Sequence, residues 1–293
     1  MTKLTTRLAA ATAVLLTGLA GGTTARADNT SGVPMPPQPH WNKGNAAAYG
    51  AQIARYVRAV NRGWRDAYAK STITIINARG DTSTSKTRQL TKEGSNGDKS
   101  VIRYISPANV RGVAALTHEH HDSTDDSWLY LPSSRRVRRI SGANRTSSFQ
   151  GTEFTYEDMT ALVPSRYRWR FLATTTFNGQ PVFQLRAIPT YRNSAYSKQL
   201  VYINRKLWRV EGIKYYDQSG RLLKVLTFSK WQLHHGRFWR ARKLDMHNTQ
   251  TQKRSVIDIG LQFVNLSLYT KRNGKQRKGL PDSLFTRRAL EGR

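Results

Sequence analysis

From residue 71 onward, apolar and polar positions alternate in short runs, and each run is closed by turn residues. In the run 71–79, Ile73 and Ile75 stand against Thr72 and Thr74. In the run 254–268, Ile257, Ile259, Leu261 and Phe263 share one face and Asp258, Gly260 and Gln262 the other, the pattern of a half-buried antiparallel strand. Gly80-Asp81, 94–98, Pro107, Asn178-Gly179, 217–220 and His235-Gly236 mark the turns between runs. Upstream the period changes. Ile53, Tyr56, Val57, Val60 and Trp64 recur at three- and four-residue spacing, with Arg55, Arg58, Arg62 and Arg65 on other faces. That spacing predicts a helix over 45–68, capped by Asn45.

The pattern adds up to about eleven antiparallel strands, one long N-terminal helix and short helices near 154–160 and 282–291, the last capped by Asp282 or Ser283. The fold class expected is mainly β (α+β), as one large curved sheet or barrel, because so many strands must curl. A helix with an apolar stripe then has a concave apolar face to cover. Residues 45–292 read as a single domain, and the Pro-rich stretch 28–44 reads as an extended arm.

The first 27 residues are set aside from the fold. Lys3 and Arg7 precede an apolar run over 8–19, too short to span a bilayer, and Ala25-Arg26-Ala27 reads as a cleavage signal. This predicts a secretory signal peptide and a soluble periplasmic protein. The chain holds no cysteine, which removes disulfides, thiolate metal sites and acylation at a lipobox. Its formal charge is +30, from 48 Lys and Arg against 18 Asp and Glu. Such an excess calls for an anionic partner. Export argues against nucleic acid and points to an anionic membrane surface, where each nearby Lys or Arg contributes about 1 kcal/mol.

The stretch 126–160 mixes aromatic, cationic and turn residues more closely than any other. It offers no nucleophile–base pair and no phosphate loop, so no catalytic and no cofactor-binding residue is assigned. Arg135, Arg136, Arg138 and Arg139 can read phosphate bidentately, with Arg136 and Arg138 on one face of a strand, and they are the candidates for headgroup contact or docking. Taken singly, Trp128, Tyr130, Phe149, Phe154, Tyr156 and Met159 are plain core. Beside a loop at the edge of a curved sheet they are together candidates for the wall or lid of an apolar cavity. Glu153, Glu157 and Asp158 read as caps, or as partners holding this segment to the arginine strand, rather than as acid–base catalysts. His118-Glu119-His120-His121-Asp122 suits either a two-histidine metal grip or a solvated hairpin tip; the second reading is preferred and no metal is assigned.

Four spaced pieces resemble the LolA-like family of outer-membrane lipoprotein-sorting proteins: 128–159 (WLYLPSSRRVRRISGANRTSSFQGTEFTYEDM), 110–116 (VRGVAAL), 195–226 and 280–291. The resemblance covers roughly 45–292. Where this branch usually shows Gly-Ser-Asp-Phe, the chain has Gly151-Thr152-Glu153-Phe154, which keeps a hydroxyl and a carboxylate. The resemblance implies a half-closed antiparallel barrel with helices at its mouth and an apolar cavity for acyl chains. It implies a periplasmic shuttle for lipoprotein acyl chains or free lipid, loaded by an inner-membrane transporter, of the RND type for many members of the branch. The alternative is a basic module that docks on anionic membranes or envelope polymers without cavity-bound cargo. A further alternative is a metal-dependent hydrolase built on the 118–122 turn.

Overall fold

The structure, a computed structural model, describes residues 37–41, 44–121, 123–265, 271–272, 275–276 and 279–292. The expected signal peptide and most of the arm lie outside the described residues. Helix α1 spans Ala46–Val60, and the side chain of Asn45 accepts a hydrogen bond from the Ala48 amide at 2.9 Å, the expected cap. The helix stops short of the predicted 68. Gly63 (φ 95°) and Arg65 (φ 61°) adopt left-handed backbone, and the Glu93 carboxylate binds the Gly63 amide at 2.8 Å. Trp64 therefore leaves the helical stripe and packs with Phe238 and Val264.

The strands are β1 (Asp66–Ile76), β2 (Thr82–Lys92), β3 (Lys99–Ser106), β4 (Ala114–His118), β5 (Asp126–Leu131), β6 (Arg136–Arg139) and β7 (Tyr167–Phe177). They continue as β8 (Gln180–Pro189), β9 (Lys198–Asn204), β10 (Val210–Tyr216), β11 (Leu222–His234), β12 (Phe238–Asn248) and β13 (Arg254–Val264). A two-residue pair, β14 (Lys271–Arg272) with β15 (Lys275–Gln276), stands apart. The main sheet has 13 strands rather than about eleven, and even the short β4 and β6, five and four residues long, each complete a ladder. Asn178 (φ 48°) and Gly179 (φ 74°) make the expected tight turn between β7 and β8, since both central positions need positive φ.

Strand order is β6-β5-β4-β3-β2-β1-β13-β12-β11-β10-β9-β8-β7, antiparallel throughout and not closed. Strands β6 and β7 are consecutive in sequence yet form the two free edges. The connection 140–166 must therefore run from one edge to the other, across the open side of the curved sheet. Its apolar residues pack on the inner face. Phe154 joins Trp169, Leu185, Ile203, Ile213 and Leu226 in one cluster, and Phe149 joins Ile73, Tyr104 and Ala115 in a second. Met159 and Ile257 touch both clusters. No helix forms over 154–160. That stretch is a series of turns, and the helical turns of the connection are 3-10 turns at Gly142–Thr146 and Pro164–Arg166.

Two elements cover the remaining apolar surface. The C-terminal segment, with its short helix α2 (Arg287–Leu290), sets Leu280, Phe285 and Leu290 against Val101, Leu116, Trp128 and Tyr130 on the outer face. Thr286, rather than Asp282 or Ser283, caps α2, its hydroxyl accepting from the Ala289 amide at 3.1 Å. Helix α1 lies on β7, and Gly50 makes the contact possible. A Cβ there would stand 2.6 Å from the Phe171 nitrogen and 2.8 Å from the Arg170 carbonyl carbon, both backbone atoms of an edge strand. Gly50→Ala is expected to destabilise by about 1–3 kcal/mol in urea unfolding, because the clash outweighs the roughly 1 kcal/mol gain in helix propensity. An unchanged or raised midpoint would mean that α1 does not sit this close to β7.

Candidate functional site

The crossing segment is tied down by polar anchors at its centre. The Thr152 hydroxyl donates to the Phe149 carbonyl at 2.7 Å and accepts from the Phe154 amide at 3.2 Å, and the Phe149 amide donates to the Phe154 carbonyl at 2.7 Å. Three carboxylates then fix this knot to the sheet. Glu153 accepts from Asn248 Nδ2 at 2.7 Å. Glu157 accepts from the Tyr191 hydroxyl (2.6 Å), the Ser194 hydroxyl (2.6 Å) and the Ala195 amide (2.8 Å). Asp158 pairs with Lys224 Nζ at 2.6 Å and accepts from the Tyr196 hydroxyl at 2.7 Å.

These contacts correct the expectation that the acids hold the segment to the arginine strand. The segment turns inward after Ser148, so its acids meet β11, β12 and the 191–196 loop instead. The one arginine of 135–139 with an ion pair among the described residues is Arg139, and its partner is Asp126 on the neighbouring strand. Burial pushes the tyrosine hydroxyls around the anchors upward, Tyr167 to about 12, with Tyr191, Tyr196 and Tyr215 also raised. They stay protonated at neutral pH, and two of them donate to the carboxylates, Tyr191 to Glu157 and Tyr196 to Asp158. Glu157 is held by three donors, Asp158 by Lys224 and Tyr196, and Glu153 by Asn248, so the arrangement is an anchor and not an acid–base pair.

Beneath the segment two cavities adjoin, and Leu162 and Val210 line both. The larger, about 290 Å³, is walled by Tyr167, Ile213, Leu226, Phe228 and Leu244, with Glu157 and Asp158 at its rim. The smaller, about 150 Å³, lies under the second half of α1 between Ala54, Val57, Trp169 and Ile203. Gln199 lines the larger cavity, and its buried Oε1 has no hydrogen-bond partner. Apolar walls with few polar groups suit a chain-like apolar ligand.

The structure separates the residues that the sequence groups together. Phe149 and Phe154 are 3% and 2% exposed and pin the crossing segment to the inner face, with Tyr156 and Met159 beside them. Trp128 and Tyr130 lie on the outer face under the C-terminal segment. The cavity walls come from residues the sequence reading passes over as ordinary strand core, Val210, Ile213, Leu226 and Phe228, and from Leu162. Arg135, Arg136, Arg138 and Arg139 are all exposed on and beside the free edge strand β6. In the 118–121 turn the histidines diverge. His118 bonds the Phe285 carbonyl (2.8 Å), His120 bonds Asp126 (3.1 Å), and His121 faces Arg58 (3.4 Å). Burial pushes the Glu119 carboxyl up against the opposing pull of Arg58. Among the described residues no three His, Asp or Glu side chains converge on a metal position, and Asp122 lies outside those residues.

Comparison with known proteins places this architecture. A family model described as "-like: Uncharacterized protein" matches residues 96–292. No curated protein matches the chain. A solved outer membrane lipoprotein-sorting protein domain from Vibrio parahaemolyticus is 35% identical, with a TM-score of 0.77, over 84% of this chain and 99% of that one. The chain belongs to the LolA-like family of outer-membrane lipoprotein-sorting proteins. A DUF1329 family protein from Desulfovibrio piger ATCC 29098 is 25% identical, with a TM-score of 0.74, over 84% of this chain and 99% of that one. A LolA superfamily protein from Nitrosomonas europaea shares the fold, with a TM-score of 0.62 at 19% identity over 82% and 98% of the two chains. In this LolA-like chain the tetrapeptide 151–154 has a structural meaning. A hydroxyl is needed at Thr152 to close the knot, and a carboxylate at Glu153 reaches Asn248.

Proposed function

We propose that this protein is a carrier that sequesters an acyl chain of a lipoprotein or lipid in the two adjoining cavities and delivers it without covalent chemistry. The observation that carries this reading is the pair of adjoining, mainly apolar cavities that share Leu162 and Val210 between the inner face of the sheet, α1 and the crossing segment. Membership of a lipoprotein-sorting family supports a carrier of lipids or lipoproteins. Among the described residues no helix is long and apolar enough to cross a membrane. A carrier of this kind works in the periplasm, between an inner-membrane transporter and the outer membrane. Each methylene moved out of water contributes about 0.8 kcal/mol, so a single chain binds firmly and is released when a better apolar site competes.

The exposed arginines at 135, 136, 138 and 139 favour a second, compatible role for the free edge, docking on an anionic membrane surface. Titration with dodecanol and with anionic vesicles separates the two roles. Raising salt from about 0.05 to about 0.5 M is expected to release the vesicles and to leave dodecanol binding unchanged, because screening acts on exposed charges and not on buried methylenes. Absence of any saturable dodecanol binding would remove the carrier reading. Native mass spectrometry of the protein purified from a periplasm then identifies the cargo.

A further inference from the structure

A third cleft, polar and open, lies against the same wall. It encloses about 410 Å³ and is lined by His121, Ser123, Thr124, Arg145, Ser165, Arg166, Thr190 and Tyr191. Two guanidinium groups face it, and they differ. Arg166 is neutralised by Asp125 and also donates to the Ser123 carbonyl at 2.9 Å. Arg145 is only 8% exposed and lies 4.7 Å over the Tyr191 ring, and among the described residues it has no ion pair. A charge this enclosed is costly unless an anion completes it. The carboxylate that Tyr191 bonds, that of Glu157, already accepts from three donors. The hydroxyls of Ser123 and Thr124 are exposed beside it. A planar fork beside hydroxyl donors is the chemistry that recognises a phosphate.

The cleft is one residue away from both apolar cavities. Tyr191 lines it and donates to Glu157 on the rim of the larger cavity at 2.6 Å. His121 lines it and stands 3.4 Å from Arg58, which lines the smaller cavity. We propose that the Arg145 cleft is an oxyanion site that holds the phosphate group of the cargo while its chain occupies the apolar cavities. This rests on the carrier reading, and it narrows the cargo to phosphate-bearing amphiphiles.

Calorimetric titration of the mature protein with dodecyl phosphate, dodecanol and inorganic phosphate tests it. Dodecyl phosphate is expected to bind at least about tenfold tighter than dodecanol, the margin of one charge-assisted contact. Arg145→Met should reduce that ratio to about twofold without changing dodecanol affinity, and Arg145→Lys should keep part of it. Equal affinities of the two amphiphiles for the unmodified protein overturn the oxyanion site while leaving the carrier intact. Loss of binding to every chain-bearing probe overturns the carrier itself. Inorganic phosphate that binds at Arg145 without competing with dodecyl phosphate shows a free-phosphate site and overturns the headgroup assignment. A ratio that survives Arg145→Met does the same. The comparison of the two amphiphiles needs no variant, so a misfolded Arg145→Met protein does not remove the test.

Discussion

Lys224→Met is expected to destabilise the protein by about 3–5 kcal/mol, a loss of roughly 10 °C in the thermal midpoint. Lys224 and Asp158 form an ion pair whose side chains are 3% and 1% exposed, at 2.6 Å. The ammonium also donates to the Glu153 carbonyl at 2.7 Å and lies 5.4 and 5.5 Å from the centres of the Tyr196 and Tyr215 rings. Methionine fills the space but removes the countercharge. The Asp158 carboxylate keeps its donors, the Tyr196 hydroxyl and the Thr155 amide, both at 2.7 Å, yet is left as a buried anion. Breaking such a pair costs far more than the pair contributes over an uncharged alternative, because the stranded charge cannot be hydrated. Lys224→Met combined with Asp158→Asn should therefore recover most of the loss, to within about 1–2 kcal/mol of the parent. Urea unfolding of the three variants measures the coupling. A single-variant loss below about 1 kcal/mol would show that water reaches the pair and that it does not anchor the crossing segment. Hydrogen exchange in 153–160 should rise in Lys224→Met before global unfolding, because both groups the ammonium holds belong to that stretch.

The strands were readable because the period-2 alternation and the turn residues act locally. Ile73, between Thr72 and Thr74, and Ile257, before Asp258, face inward as that alternation requires. The site was less legible, because three of its determinants are non-local. The crossing segment gains its role from strand order: β6 and β7 are adjacent in sequence but occupy opposite edges, and no spacing rule states that. Lys224 lies on a strand where a lysine reads as solvent-facing, and only the approach of Asp158 gives it a buried partner. Trp128 and Tyr130 sit close in sequence to Phe149 and Phe154, yet strand alternation and the C-terminal cover send them to the other face. The helix end failed for a local reason, since Trp64 continues the apolar stripe while Gly63 and Arg65 break the backbone. Gly63, placed between the last stripe positions, was the available signal.

Leu162→Glu is expected to abolish acyl-chain binding, with at least about a hundredfold loss of dodecanol affinity. Leu162 is the one residue of the crossing segment that lines both cavities. Burying even four methylenes contributes about 3 kcal/mol, which is about a hundredfold or more in affinity. A carboxylate at this position removes that contact twice over. It occupies the junction between the cavities, and it brings its own hydration into the apolar space, since the cation lining the smaller cavity, Arg58, is already paired with Glu119 and the rim of the larger already carries Glu157 and Asp158. The substitution lies on a turn-rich segment rather than a strand, so the ladders of the sheet are untouched. Trp128→Ala is the matched comparison. It removes a larger side chain from the outer-face cluster and costs stability, but it lies across the sheet from both cavities, and dodecanol affinity should stay within about twofold. Titrations on folded samples, checked by circular dichroism, decide between the two faces. Retained affinity in Leu162→Glu together with loss in Trp128→Ala would move the binding site to the outer face, under the C-terminal segment.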